Sequence, residues 1–166
     1  MALVLEDGTG VTGANTYNLV ADADAFWADR NVADWAGAGA SDLVKAGLLV
    51  QAGDYLNQFF RPRGEVLSYD QGMGFPTLTY DGVPQAVRHA QLILAREARL
   101  GPLSTVMGEP VVTMERKQLQ GVGEKEVHYA TNKVDPYGRA GSTVAAMLLP
   151  YTMSPGWMQQ ARIDRA

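Results

Sequence analysis

Side chains able to do chemistry are few in this chain, and they do not assemble into a recognisable reaction centre. His89 and His128 are its two histidines. They fall on different predicted elements and in no metal-ligand spacing such as H-E-x-x-H, so both read as structural. With zero cysteines there is no thiolate nucleophile, no thiolate metal site and no disulfide. No G-x-S-x-G elbow is present. Chain order alone leaves a Ser-His-Asp arrangement open, because such partners converge in space rather than in sequence. Gly8, Gly10 and Gly13 match G-x-G-x-x-G, yet Ala14 to Asn18 intervenes where the dinucleotide fold needs a helix already begun at the third glycine. A P-loop fails as well, since Ala14 and Asn15 stand where Lys and Ser/Thr are needed. Residues 7–15 therefore read as a flexible loop. The acids Asp22, Asp24 and Asp29 do not make a calcium loop, because Trp27 occupies the position of its obligatory glycine; a solvated acidic face is the reading. The expectation is a protein that is not an enzyme, with no cofactor and no metal.

Three arginines offer the other kind of chemistry. Arg88, Arg96 and Arg99 lie within roughly a quarter turn of one another on a predicted helix. They could face DNA or contact a neighbouring subunit. Equally, they could form a solvated face with two cations well placed at a helix C-terminus.

The elements that would position these residues can be read in order. Ala2 to Leu5 could pair as a strand. Asn18 is a plausible N-cap for a helix over about 18–30, with Val20, Ala23, Phe26 and Trp27 on one side. Trp35 and the run 36–40 make a turn, and Ser41 caps a second helix over about 41–60. That helix has two apolar faces, one through Leu43, Gly47, Val50 and Asp54, the other through Leu48, Ala52, Tyr55, Leu56 and Phe59. Gly47 and Gly53 each cost about 1 kcal/mol of helix propensity, which suggests that a neighbouring backbone comes close. Arg61 to Gly64 stops the helix.

Residues 65–83 combine turn formers with Leu67, Tyr69, Met73, Phe75, Leu78 and Tyr80. So apolar a loop should be ordered, lying on the helices with Phe75-Pro76 as its plug. Pro84 opens a third helix over about 84–100, cored by Val87, Ala90, Leu94 and Ala98. Strands over 111–119 and 124–130 flank Gln120 to Gly123 as a hairpin that needs a sheet or helix to pack on. A short helix over 142–149 follows. The predicted fold class is mainly α: a bundle of three main helices and a short C-terminal helix, with one β-hairpin and extended terminal segments. Residues 1–151 form a single domain, and 152–166 form an arm with Met153, Trp157, Met158 and Ile163 as docking side chains.

Composition narrows the class of partner. At 166 residues one core is the default, and a formal net charge of −4 excludes a polybasic nucleic-acid arm. No apolar run approaches the ~18 residues of a membrane span, and the acids Glu6 and Asp7 follow the first apolar residues, unlike a basic signal-peptide start. A soluble protein working where it is made, with no membrane partner, is expected.

Order and spacing together then carry a resemblance. Tyr17 precedes an Ala/Asp-rich helix, Val20-Ala21-Asp22-Ala23-Asp24-Ala25-Phe26; the second helix ends in Asp54-Tyr55-Leu56; Gln71 precedes Phe75-Pro76; and Pro84 opens a helix carrying Val87, Ala90 and Leu94. In this the chain resembles the head–tail connector (adaptor, or head-completion) proteins of tailed bacteriophages, some of which are called DnaT-like. The aromatic residue before proline is usually tryptophan there, often followed by arginine, where this chain has Phe75 and Thr77.

The resemblance implies a structural plug of Gln71, Phe75, Pro76 and Pro84 and a homo-oligomeric ring of twelve subunits. It implies as partners the portal protein, a downstream neck or tail-completion protein and, transiently, double-stranded DNA in the channel. The protein would then work in the virion neck after assembly in the bacterial host cytoplasm. The alternative is a single-stranded-DNA-binding protein, using Arg88, Arg96 and Arg99 with Tyr69 or Tyr80 stacking on bases.

Overall fold

The computed structural model describes residues 2–37, 39–103, 112–116, 126–129 and 141–153, with backbone alone for 112–116, 126–129, 141 and 142. Four α-helices dominate them: α1 (Val20–Ala28), α2 (Asp42–Phe59), α3 (Gln85–Leu100) and α4 (Gly141–Leu148). The mainly helical class read from the sequence is the class found. Strands β1 (Val112–Arg116) and β2 (Glu126–Tyr129) pair antiparallel, with an irregularity between Val112 and Met114. The predicted turn at Gln120 to Gly123 lies outside the described residues.

Helix α2 is the axis of the domain. Ser41 Oγ accepts from Val44 N–H at 3.4 Å, the N-cap its residue type favours. The helix buries Leu48, Leu49, Val50, Ala52, Gly53, Tyr55 and Leu56, while Leu43 at the N-terminal end is 69 % exposed. Leu43 thus leaves the predicted apolar line, and Leu49, which neither predicted face contained, is wholly buried. Helix α3 packs along α2 through Val87, Ala90, Leu92, Leu94 and Ala95, and α4 adds Val144 and Leu148 to the same core. Pro84 is the N-cap of α3 rather than its first helical residue.

The two glycines of α2 part company. A Cβ on Gly53 would stand 3.0 Å from Asn15 O and 3.1 Å from Met73 Cε, so the N-terminal segment and the loop both approach the helix there. A Cβ on Gly47 would meet nothing within 4 Å among the described residues outside its own helix backbone, and the close approach expected of it is not seen there. Gly47→Ala is therefore expected to raise stability by about 0.5–1 kcal/mol through helix propensity and a less mobile unfolded chain. Gly53→Ala should lower it, and urea denaturation of the two variants reads the opposite signs.

Three other expectations change near the N-terminus. Asn18 does not cap α1. Its side chain is drawn inward, donating to Arg88 O and Gln91 Oε1 at 2.9 Å each, and Leu19 becomes the cap, its N–H held by Asp22 at 2.8 Å. The helix stops at Ala28, two residues short of Arg30. Trp35 lies in a short 3₁₀ helix (Ala33–Ala36) and is 1 % exposed, so it belongs to the core rather than to a surface turn.

The loop 7–15 is ordered, not flexible. Buried Glu6 gathers the N–H groups of Gly8, Gly10 and Val11 at 2.8–3.0 Å. Positive φ at Gly8 and Gly10 turns those amides toward one carboxylate, a geometry other residues adopt at a cost. The glycine pattern thus serves an internal anion. Ala2 to Leu5 contributes only an isolated parallel bridge, Leu5 to Thr16, where a strand was expected.

Candidate functional site: a clamped loop and the surfaces around it

The loop between α2 and α3 is fixed by side chains that arrive from three directions. Gln71 works from within: its Nε2 donates to Met73 O at 2.7 Å and Pro76 O at 2.9 Å, and its Oε1 accepts from Ser68 N–H at 3.0 Å. From the end of α2, Asn57 Oδ1 accepts from Gly74 N–H at 2.9 Å. From the N-terminal segment, the Tyr17 hydroxyl accepts from Phe75 N–H at 3.0 Å. Tyr17 is 1 % exposed, and burial holds its phenol neutral, well above the usual range.

These anchors press Phe75, 3 % exposed, among Tyr17, Leu56, Phe60, Val87 and Leu148. The Phe75-Pro76 bond is cis. Pro76 is fully buried and Pro84 half-buried. Tyr17, Leu56, Phe75 and Val87, far apart in the chain, thus meet at one place, with Gln71 bracing the loop backbone on both sides of Phe75. Gly72 lies so close to Ala14 that a Cβ would collide with its backbone.

A second centre escaped the sequence reading entirely. Gln91 is wholly buried; its Oε1 accepts from Tyr17 N–H and Asn18 Nδ2, and its Nε2 donates to Leu49 O and Thr16 Oγ1, at 2.9–3.0 Å. It ties the N-terminal segment, α2 and α3 together. A polar residue inside an apolar stripe is the only trace this leaves in a sequence.

The arginines of α3 have all found partners inside the domain. Arg88 Nη1 donates to Tyr17 O at 3.0 Å, and Arg99 Nη1 to Trp35 O at 2.9 Å. Arg96 grips the Asp34 carboxylate with two nitrogens, at 2.6–3.1 Å, and lies 5.4 Å over the Trp27 ring. That guanidinium keeps the Asp34 carboxyl below the usual carboxylate range. The stripe bolts α3 to the segments before it, so neither the free cationic face nor the merely solvated one describes it.

His89 packs against Phe26, ring centroids 4.9 Å apart, near Arg30. Burial, then Arg30, pushes its imidazole below the usual value of 6.5. The unfolded chain therefore takes up the proton more readily. This contribution to stability is complete above pH 6.5 and is lost as pH falls through the lower folded value. The thermal midpoint should fall between pH 7.5 and 5, and His89→Gln should flatten part of that fall, as calorimetry across the range would show. The side chain of His128 lies outside the described residues.

Several apolar side chains stay outside. Tyr69 is 97 % exposed, and Val66, Leu67 and Leu78 stand on two arms of the loop joined by the Val66 to Thr77 bridge. Arg61 is exposed and without a side-chain partner among the described residues; with Pro62, Gly64, Glu65, Val66 and Tyr69 it lines an open hollow of about 520 Å³. Tyr80 is half-buried, its hydroxyl donating to Pro150 O at 3.0 Å and its ring 5.4 Å from that of Tyr151. The predicted arm boundary shifts, because Thr152 is buried and Met153 N–H donates to Arg61 O at 2.9 Å; Met153 itself is exposed. Trp157, Met158 and Ile163 lie outside the described residues.

Among the described residues no group of three or more His, Cys, Asp or Glu could hold a metal ion, and no helix is long and apolar enough to cross a membrane. Fold and surface together define a mainly α domain with an internally clamped loop. A family model described as "Putative DnaT-like ssDNA binding protein" matches residues 1–166, and the chain belongs to that family. No curated protein and no solved structure matches the chain significantly.

Proposed function

We propose that the protein is a non-catalytic structural subunit of the bacteriophage neck. Copies of it form a ring of twelve under the portal, let double-stranded DNA pass, and present a surface to a downstream neck or tail-completion protein. The observation that carries this reading is where the domain spends its side chains. The cations that could have faced DNA on α3 are half-buried and bonded to Asp34 and to two backbone carbonyls of their own domain. Tyr69, Leu78 and Leu43 stand at 97 %, 66 % and 69 % exposure on well-anchored elements. Exposed apolar groups on the hydrogen-bonded loop and at the far end of α2 suit a protein that is covered by neighbours. The acidic balance, −4, also suits a channel through which phosphates must slide without sticking. The sequence resemblance supplies the neck itself. Electron microscopy of the protein mixed with DNA-filled heads tests it: a ring beneath the portal is expected, and heads left bare would overturn the placement.

The family description speaks more directly for a second reading, the binding of single-stranded DNA. On this structure the residues suited to it are Arg61 and Tyr69, a cation with no side-chain partner among the described residues beside an exposed ring, rather than the arginines of α3. Base stacking on such a ring contributes roughly 1–3 kcal/mol. If this reading holds, fluorescence anisotropy with a labelled oligothymidylate should show binding that weakens with salt. Tyr69→Ala should then cost about tenfold in affinity. The structural reading expects no such binding, and no change on that substitution.

A further inference from the structure

A cavity of about 450 Å³ opens between α1, the 3₁₀ helix and the first turns of α2, on the side of α2 away from the clamped loop. Two indoles, Trp27 and Trp35, form its walls, with Val32 and small alanines beside them. Its polar groups are unevenly used. Asp24 Oδ1 accepts from both Trp35 Nε1 and Lys45 Nζ at 2.7 Å. Trp27 is 6 % exposed, and its Nε1–H, buried, has no hydrogen-bond partner among the described residues. An orphaned buried donor costs roughly 1–3 kcal/mol and marks a place where an acceptor is missing. The Asp24 side chain is 43 % exposed at the mouth but already paired with Lys45, so the lining carries no net charge and suits a mainly apolar occupant. The volume falls in the range of sites that hold a large side chain with some backbone.

We propose that this cavity receives residues 154–166 of a second copy of this chain. The proposal rests on the self-assembling reading above and gives it a contact. Those residues read SPGWMQQARIDRA. Trp157 and Met158 supply apolar mass for a cavity walled by indoles. Around Pro155 the chain keeps its carbonyls and lacks one N–H, so it offers acceptors to the Trp27 donor.

Position favours a neighbour over the same copy. The segment leaves at Met153, pinned to Arg61 and Pro62 just past the C-terminal end of α2, whereas Lys45 lies one turn in from its N-terminal end. Eighteen helical residues, about 27 Å, separate the two poles. Trp157 stands four residues past Met153 and its backbone reaches at most about 14 Å from there, short of the cavity of its own copy and enough for that of a copy seated beside this pole. A contact between opposite poles is heterologous, and heterologous contacts generate rings when the rotation closes.

The test uses the full-length chain carrying Trp157→Ala, labelled with ¹⁵N, so that two indole N–H resonances remain, assigned with Trp27→Phe. A synthetic peptide of residues 152–166 is titrated in. The Trp27 resonance is expected to move downfield and saturate as its proton gains an acceptor, with Trp35, already bonded to Asp24, moving less. The same peptide carrying Trp157→Ala should bind at least tenfold more weakly. No shift at millimolar peptide, or an equal shift with the altered peptide, overturns the proposal.

Sedimentation of the unaltered chain then separates the two possible donors of the segment. Mass should rise with concentration as the Trp27 resonance moves to its peptide-bound position. A bound position in a dilute monomer assigns the segment to its own chain and overturns the proposal. So does a free position in a monomer tenfold above the peptide's half-saturation. Heads that carry no ring despite this association would refute the neck placement and leave the contact standing.

Discussion

Phe75→Ala is expected to lower the free energy of unfolding by about 3 to 5 kcal/mol, a large part of what a domain of this size possesses. The ring is 3 % exposed, and its neighbours come from the N-terminal segment, α2, α3 and α4. Removing it deletes the transfer free energy of a phenyl group and leaves a hole that four separate elements line. Tyr17 and Asn57 also hold the N–H groups of Phe75 and of Gly74 before it, which limits how far the loop can collapse into the hole. Guanidinium denaturation followed by circular dichroism measures the change. A loss under 1 kcal/mol would mean that the loop is laid on the surface and is not part of the core. Leu78→Ala, two-thirds exposed on the same loop, is the control and should change stability by no more than about 0.5 kcal/mol.

Gln91→Leu should be comparably damaging, about 3 to 5 kcal/mol, for the opposite reason. Volume is nearly conserved, so almost nothing is lost in packing. What is lost is the answer to four polar groups. The Tyr17 N–H, an Asn18 amide proton, a lone pair of Leu49 O and the Thr16 hydroxyl would each face leucine methyls. Buried groups left without partners cost roughly 1–3 kcal/mol each, partly relieved where a second bond survives, as for Thr16 with Asn18 O. Chemical denaturation reads the stability. Amide hydrogen exchange at Tyr17 adds a local check, since that proton should exchange faster than those within α2. A neutral outcome would place water, or a shifted segment, where Gln91 now reaches.

The two substitutions probe one design from its two ends. The clamp sets how the exposed part of the loop, with Tyr69 and Leu78, is presented; the glutamine sets how the N-terminal segment lies across the helices. A protein that works by offering shaped surfaces to neighbours needs both held still. If the proposed neck role holds, loosening either should impair assembly before the surface residues themselves are altered.

What the sequence determined by itself is the local part. Ser41 before an apolar period, proline after Arg61 and before Gln85, and the 3.6-residue recurrence of Val87, Ala90 and Leu94 place α2 and α3 to within a residue or so, because caps, breakers and periodicity act over a few neighbours. The apolar content of residues 65–83 marked an ordered loop for the same reason: those side chains need somewhere to go. Partner choice was not legible. Asn18 has the chemistry of an N-cap, but Arg88 O and Gln91, about 70 positions on, offer it buried hydrogen bonds. The arginines of α3 form a cationic stripe on a helical wheel, but Asp34, Trp35 O and Tyr17 O arrive from 62 to 71 residues away to occupy them. Glycines spaced like a phosphate cradle close instead on Glu6 of their own chain. Hydrogen bonds and ion pairs depend on distances of a few tenths of an ångström between remote atoms, and only the tertiary structure decides which donor meets which acceptor. The same holds for the indole of Trp27, an aromatic core residue by its spacing, whose N–H, unanswered among the described residues, becomes visible only once the helices are packed.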